Sequence, residues 1–531
     1  MIHAKEAKLI FFACLFILFV GALLPILYVL FKAIVSSGNL FALSQAFMTG
    51  NRQWSLLKNT LSISLGTSIG SIFLGAPLAF FLSRVSFPGR SLFLLIFPIS
   101  LLIPPYVHTI CWSHVLESYG WISKLLPTPG PSPGVKNGLF LSIWIMVLAY
   151  YPIVTLLSYI GFSQMDANLE DAGRIQAGAT RVSRCITWKL AQPAILSGGL
   201  FVFIFALSNF GVPSMLGVQV YSLEVFYQFS TLHRMDQAAV FALPLLFLSL
   251  SALFGINRFE KDPRFTIETS TRKCRPFVLD KGKWLVSGLI LFLHALSVFL
   301  PIKVLLEMAG PWENYLAAIS NARHDILVSF WTSAAAASFT LTIGGILAFM
   351  VWSIRTKVGS WLEKICILSF AFPAVGVGIG IIGLWNREGL FQWVYSSILI
   401  LIIAYFCRYV SFAFKPVRIA MSYIDFSVNE SAQVIGIPWW QRLSRLLAPI
   451  SIKGLMVSWF FVYLFSITDL GMAILVHPPG KGTMPIRIFN LLHFGRQEWV
   501  GALCLVLIAL VILPYSILIL WDRKEKYGSS S

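Results

Sequence analysis

The sequence predicts an all-α membrane protein with twelve transmembrane helices arranged as two parallel six-helix repeats. Of its 531 residues 57% are hydrophobic and only 12% are charged, which leaves too little polar surface for a water-soluble domain. Apolar runs of about 18 residues or more, the length a helix needs to cross ~30 Å of hydrocarbon, recur along the whole chain. The chain also matches itself at one long, fixed offset.

The runs begin near Leu9, Leu57, Ser91, Gly138, Ile195, Ala238, Trp284, Asp325, Trp361, Gln392, Ile452 and Trp499. The first follows Lys5 and Lys8, is too long for a signal-peptide core and has no small-residue cleavage site after it, so it reads as a retained helix that starts inside. Alternating sides from there puts roughly two thirds of the 40 Lys and Arg on the inner face, as the positive-inside rule requires. Both termini then lie inside, and Arg408 falls within a span, toward its inner end. Orientation accounts for the net charge of +18, so no nucleic-acid partner is expected. The seven cysteines are scattered, never form CxxC and read as small apolar fillers.

Sliding the chain by 260 residues gives an ungapped register from Glu170 to Leu243. Glu170 falls on Glu430, Ala172 on Ala432, Ile175 on Ile435, Gly211 on Gly471 and His233 on His493. Upstream, "GAPLAFFLSR" (Gly75 to Arg84) corresponds to "GGILAFMVWSIR" (Gly344 to Arg355), and Pro105 to Pro373. The predicted organisation is a first half over residues 1–257, a basic linker over 258–283 with "TRKCRP" as its densest part, and a second half over 284–531. Six spans is an even number, so the copies are parallel, and a pathway would lie between them.

Between two apolar runs, "ESAQVIGIPWWQRLSRLLAP" (Glu430 to Pro449) is polar, aromatic and basic, and such residues cannot face lipid. Glu430 to Ile435 suits a short helix with Asn429 as N-cap and Glu430 in the first turn. Gly436 permits a turn that a side chain would resist, "PWW" restarts the chain at the interface, and Pro449 marks the start of the next span. The predicted result is a compact knob on the cytoplasmic side. An ordinary interfacial loop is the blander reading, and recurrence of the block 260 residues earlier weighs against it.

Asp469 lies about 17 residues into its span, ~26 Å at helical rise, and is therefore near the outer end, with Asn209 as its repeat mate. With Gly211 and Gly471, the pair forms either a polar outer gate or a helix-end hydrogen-bonding device. An ionisable residue within a span, such as Arg408, is a functional suspect by default; it pairs with a carbonyl, snorkels or faces the interior. His108, His114 and Tyr106 have metal-ligand chemistry, but local hydrogen bonding is the commoner reason for such residues, and no metal site is expected. Ser222 to His233 and Pro485 to His493 look like short outer helices, the second capped by Thr483 and ended by Gly495. They serve either as docking ridges or as re-entrant packing helices. "PPGKGT" lacks the upstream glycine and the Ser/Thr after Lys481 that a phosphate-binding GxxxxGK[ST] loop needs. HExxH, EF-hand and GxSxG patterns are also absent from the sequence, so no enzymatic activity and no bound cofactor are expected, and energy must come from a partner chain.

The series Glu430, Ser431, Ala432, three residues, Gly436, twelve residues, Pro449 resembles the EAA loop of ABC importer permeases, with Ala448 where that family has a leucine. In the first half Glu170, Asp171 and Ala172 match in part. Gln176 stands where the glycine belongs and Lys189 where the proline belongs, while Gly178 and Pro193 lie nearby. "PPYVHTICW" (Pro104 to Trp112), "SNFGVPSMLG" (Ser208 to Gly217) and "DLGMAILVHPPGKGTMPIRIFNLLHFG" (Asp469 to Gly495) are similar to segments of the iron(III)-type permeases, often fused pairs of six-span halves. Thiamine and aminoethylphosphonate permeases share much of this pattern, so the solute stays open. The resemblance implies a permease in a bacterial cytoplasmic membrane, with two cytosolic ABC ATPases docked on the loops and using the ATP. It also implies a solute-binding protein outside and alternating access between the halves. The rival class, an ATP-independent secondary transporter or channel, is expected to carry ion-relay carboxylates near mid-membrane, and the spans hold almost none.

Overall fold

The computed structural model describes residues 2–35, 41, 51–118, 138–165, 167–260, 276–278, 282–354 and 357–528. The chain is a helical membrane protein. Among the described residues nine helices are long and apolar enough to cross a membrane, or up to twelve spans if each of three bent helix pairs counts as one. Each of the twelve apolar runs falls on one of these spans. Most of "TRKCRP" lies outside the described residues, as does Arg355.

Packing divides the chain into two compact units that do not follow sequence order. One comprises Gln45–Glu224 and Pro244–Met308; the other comprises Met1–Ser44, Val225–Leu243 and Ala309–Ser531. The opening helix α1 (Leu9–Val35) therefore packs with the later part of the chain. The first of these units holds α2 (Asn51–Arg84), α3 (Arg90–Leu101), α4 (Pro105–Ser118), α5 (Gly138–Ser163), α6 (Ala167–Val182), α7 (Trp188–Ser208) and α8 (Gly211–Met215). The helices α9 (Tyr221–Ser230) and α10 (Met235–Glu260) run from one unit into the other, and α11 (Lys283–Ala309) completes the first.

The second unit continues with α12 (Trp312–Ile354), α13 (Lys357–Ala371), α14 (Ala374–Trp385), α15 (Leu390–Tyr395), α16 (Leu399–Ser422) and α17 (Phe426–Val434). It ends with α18 (Trp439–Ile450), α19 (Ile452–Ile467), α20 (Ala473–Val476), α21 (Met484–Phe494) and α22 (Gln497–Gly528). The pair α3–α4 bends by 92° and the pair α13–α14 by 99°. Both bends precede a proline, Pro105 and Pro373, where the residue before proline is driven out of helical geometry.

Small residues set the crossings, because helices in hydrocarbon associate by close backbone approach. A Cβ on Gly75 of α2 would lie 2.8 Å from the Tyr151 carbonyl oxygen of α5, and one on Gly344 of α12 would lie 2.9 Å from Ala413 Cβ of α16. On α5 and α7, Gly161 faces Ala194 so closely that an added Cβ would overlap it; on α16 and α19 the same contact is made with the roles exchanged, Ala420 facing Gly454.

The helices α1 and α11 share a second device. Each carries a π-turn, Phe19–Leu23 and Ala295–Phe299, directly before a Leu-Pro-Ile step. The wider turn accommodates a proline that has no N–H and whose ring crowds the preceding turn. In its own unit α1 is tied by the Cys407 thiol to the Ala22 carbonyl at 3.4 Å. In the other, α11 receives the Cys111 thiol at the Pro301 carbonyl at 3.6 Å, and Tyr151 bonds both Ser100 at 3.1 Å and Ser297 at 3.2 Å.

Exchange of Gly and Ala between the two crossings makes a direct stability test. Gly454→Ala alone forces two methyl groups into one space, an overpacking worth ~1–3 kcal/mol, and should lower the apparent Tm of the purified chain by several degrees. Adding Ala420→Gly recreates the arrangement of the Gly161 crossing and should restore most of the loss; a double variant no better than the single one contradicts this account.

Candidate functional site

The two polar knobs, one in each unit, are built differently. In the first, Glu170, in the first turn of α6, is 1% exposed, deep for a carboxylate, and it is held by charge. Its carboxylate pairs with Arg84 at the end of α2 and with Arg174 one turn on at 3.4 Å, and accepts the Thr187 hydroxyl at 2.7 Å. The Arg174 guanidinium lies 4.3 Å from the centre of the Phe277 ring. Phe277 and Val278 form β2, which pairs in parallel with β1 (Val85–Ser86) in the register Val85↔Phe277, Ser86↔Val278. The chain between the halves is thus fastened to the base of the first knob. Sequence reasoning missed Arg84, Thr187 and Phe277; the one available signal was the basic residue ending both "GAPLAFFLSR" and "GGILAFMVWSIR".

The turn in this knob is at Gly178, with φ 74° and ψ 162°, not at Gln176, which stays helical. A Cβ at Gly178 would meet nothing, so backbone conformation, not space, is what calls for glycine there. Asp171 is half-buried, Ala172 and Gln176 are exposed, and Ile175 is 88% exposed. Lys189, exposed, begins α7, and Pro193 lies inside that helix.

In the second knob the N-cap is Asp425, not Asn429. The Ser427 N–H donates to its carboxylate at 3.0 Å, which holds that carboxyl below the usual carboxylate range. The cap is at full strength above the ordinary value of about 3.9 and is lost as pH falls through the lowered one. Asn429 lies inside the helix, buried, and accepts Arg442 at 2.9 Å, joining the two arms of the knob. Sequence reasoning placed the start too late because the polar residues before it look like loop.

Gly436 has φ 82° and ends α17. The Ile437 N–H donates to the Ala432 carbonyl and the Gly436 N–H to the Gln433 carbonyl, both at 3.0 Å, the paired bonds of a Schellman stop. Ala432 is buried, Glu430 and Ser431 are exposed, and Pro449 is exposed near the end of α18. Trp439 is buried and stacks on Phe349 at 6.4 Å. Val434 and Ile435 are 87% and 77% exposed, so each knob presents exposed apolar side chains within three residues before its glycine.

At the far end of the fifth span in each half, Asn209 and Asp469 work as helix-end devices. Asn209 Oδ1 accepts the Val212 N–H and its Nδ2 donates to Tyr150. Asp469 Oδ2 accepts the Met472 and Ala473 N–H groups and its Oδ1 accepts Tyr409. Gly211 and Gly471 follow two residues after each cap and are buried and half-buried.

Arg408 is 5% exposed, its guanidinium 5.8 Å from the Tyr409 ring centre, with Nε and Nη1 unpartnered. It lies nearer the end of α16 opposite the second knob, not toward the knob end as the apolar run suggested. The helix starts at Leu399, because the residues from Leu390 to Tyr395 form the separate α15. His108 and Tyr106 are buried, and among the described residues no group of three or more His, Cys, Asp or Glu is gathered for a metal. The short helices α9 and α21 form as the spacing predicts. The Met484 N–H at the start of α21 is satisfied by Ser329 at 2.6 Å, and Thr483 makes no side-chain cap.

Comparison with known proteins points the same way. The Fe(3+)-transport system permease protein FbpB 2 of Haemophilus influenzae is 23% identical over 510 residues, covering 93% of this chain and 94% of that protein. The putative 2-aminoethylphosphonate transport system permease protein PhnV of Salmonella choleraesuis is 26% identical over 45% of this chain and 94% of its own length. A probable molybdenum ABC transporter permease protein of Haloferax volcanii is 28% identical over 39% of this chain and 74% of its own length. No family model matches the chain. These relatives are permease proteins of transport systems, an ABC transporter permease among them.

Two outcomes are expected at the knobs. Arg84→Met leaves the buried Glu170 carboxylate with Arg174 and the Thr187 hydroxyl alone, a loss of up to about 3 kcal/mol; Arg84→Met with Glu170→Met should be more stable than Arg84→Met alone in thermal unfolding. Gly178→Val and Gly436→Val force a β-branched residue into a conformation it resists, whereas Gln176→Val replaces a helical residue. Proteolysis at the two knobs should rise for both glycine variants and stay unchanged for Gln176→Val.

Proposed function

We propose that this chain is the membrane-spanning subunit of an ATP-driven importer. Its knobs at Glu170–Gly178 and Glu430–Pro449 seat two cytosolic ATPase subunits, and its opposite face meets an extracytoplasmic solute-binding protein. The observation that carries the reading is the pair of exposed apolar residues, Ile175 and Ile435, 260 residues apart, the first three residues before and the second directly before a glycine with positive φ. A loop with only water to meet gains nothing from presenting isoleucine, and apolar residues ringed by polar ones mark protein contact.

The end-to-end match to FbpB 2 supports ferric iron as the solute, carried as cargo. Aminoethylphosphonate, molybdate and thiamine are the alternatives. The match of nearly all of PhnV to less than half of this chain supports two copies of a permease fused in one polypeptide. In this reading both termini lie in the cytoplasm of a bacterial cell, and the halves expose the pathway to one side and then the other.

The mechanism follows from how the knobs are mounted. Thr187, the residue before α7, is bonded to Glu170, and Arg84 ends α2, so a displacement of the first knob by the ATPase is delivered to the inner ends of two membrane helices. In the second knob the Asn429–Arg442 bond transmits the same push into α18 and α19. Asn209 and Asp469, just past the far ends of α7 and α19, cap the segments that follow and bond Tyr150 and Tyr409, so the same movement reaches α5 and α16 there. Because the chain has no phosphate-binding loop of its own, hydrolysis belongs to the partner.

Cysteines at positions 175 and 435 should each cross-link to a co-expressed ABC ATPase, and Gly436→Asp should lower transport and transport-coupled ATP hydrolysis together at unchanged abundance. Transport driven by an ion gradient without the ATPase would instead establish the secondary-transporter reading. Cysteines at positions 209 and 469 should react with external water-soluble thiol reagents in the outward-open state; inertness in every state places them outside the pathway. Binding assays on the partner binding protein with ferric ion, 2-aminoethylphosphonate, molybdate and thiamine should single out ferric ion.

A further inference from the structure

A groove of about 430 Å³ runs between α2 and α7, within the ~300–1,000 Å³ typical of small-ligand sites. Ile72, Phe73 and Ala76 of α2 and Ile195 of α7 line its apolar length, and Lys189 and Gln192 stand at the end nearer the first knob. Phe73 is 75% exposed within a membrane-length helix, so the groove opens toward hydrocarbon. From Lys189 to Ile195 of α7 the lining covers ~9 Å at helical rise, about two thirds of the ~15 Å half-thickness of the hydrocarbon core, so the groove takes part of one acyl chain rather than its whole length.

Its polar end is basic. Lys189 is exposed and has no ion-pair partner among the described residues, and Arg181 and Arg184 are exposed in the turns before it. Trp188, which forms part of the wall, is fixed between Phe80 at 5.5 Å and Phe162 at 5.4 Å. In the second half the position of Lys189 is Pro449, which supplies no charge, so the feature belongs to the first half alone.

We propose that this groove binds one acyl chain of an anionic phospholipid, with the lipid phosphate on the Lys189 ammonium. The apolar lining and the unpaired cation at one end of it match that ligand, and a zwitterionic lipid would set its own ammonium beside Lys189. The site would anchor the start of α7, next to Thr187 and its bond to Glu170. The proposal requires a membrane face at this end of α7 and is independent of what the protein transports.

The test uses the full-length chain in mild detergent, incubated with an equal mixture of phosphatidylglycerol and phosphatidylcholine, with retained lipid read by native mass spectrometry. Wild type should retain phosphatidylglycerol about five-fold over phosphatidylcholine, the preference one basic side chain confers at an anionic surface. Lys189→Gln should bring the ratio to parity and Lys189→Arg should keep it. Gln192→Trp, at an exposed position beside the core, should reduce retention of both lipids at unchanged Tm. Equal retention by wild type, or a preference that survives Lys189→Gln, reduces the groove to ordinary boundary lipid and overturns the proposal. Phosphatidylglycerol retention unaffected by Gln192→Trp overturns the acyl-chain part of it.

Discussion

Close approach of helix backbones is the constraint on which the rest of this molecule depends. In hydrocarbon a leucine gains little by exchanging lipid for another helix, so packing at small residues decides where helices cross. Gly75 against Tyr151 and Gly161 against Ala194 fix α2, α5 and α7 as one body. From that follow the meeting of Arg84, Glu170 and Thr187 at one end and the Asn209–Tyr150 bond at the other. The later unit is locked at Gly344 against Ala413 and at Ala420 against Gly454, and there Asp469 meets Tyr409. Side chains 59 to 86 residues apart along the chain, Tyr150 and Asn209 or Arg84 and Glu170, reach one another because a few positions have almost no side chain.

The second governing rule is that a polar group away from water must be satisfied. The two knobs obey it by different chemistry. The first buries its carboxylate, which is tolerable only because two guanidinium groups and a hydroxyl surround it; a buried charge with fewer partners would be a liability. The second leaves Glu430 at the surface and braces itself with Asn429 and Arg442. Their turns differ as well, an extended ψ at Gly178 against a Schellman stop at Gly436. Similar outer surfaces, an exposed isoleucine shortly before a glycine with positive φ, rest on unlike interiors.

Helix ends inside the membrane raise the same problem in another form, because their N–H groups have no helical partners. Asn209 and Asp469 supply oxygen to the N–H groups of the next short helix while a tyrosine hydroxyl supports them from the side. A device that completes a helix end also fixes a polar surface at that end. The gate reading and the capping reading of this pair are therefore compatible, since the cap is what allows a polar residue to stand there.

The sequence by itself determined the solvent, the spans and the positions of the knobs. Hydrocarbon requires long uninterrupted apolar runs, and polar blocks between them have few places to go. It also carried the 260-residue correspondence that pairs Ile175 with Ile435 and Asn209 with Asp469, and the nearby Gly178 that serves as the turn. Only the tertiary structure decided that Glu170 is buried on Arg84, that β2 fastens to β1, that Asp425 and not Asn429 caps α17, and that α1 and α11 pack outside their own sequence halves. Sequence patterning reports periods of a few residues, whereas these features join residues far apart along the chain or depend on where a helix begins. Which distant partner a charge or a helix finds is fixed by the crossings, and the crossings are set by small residues whose role shows only once two backbones lie side by side.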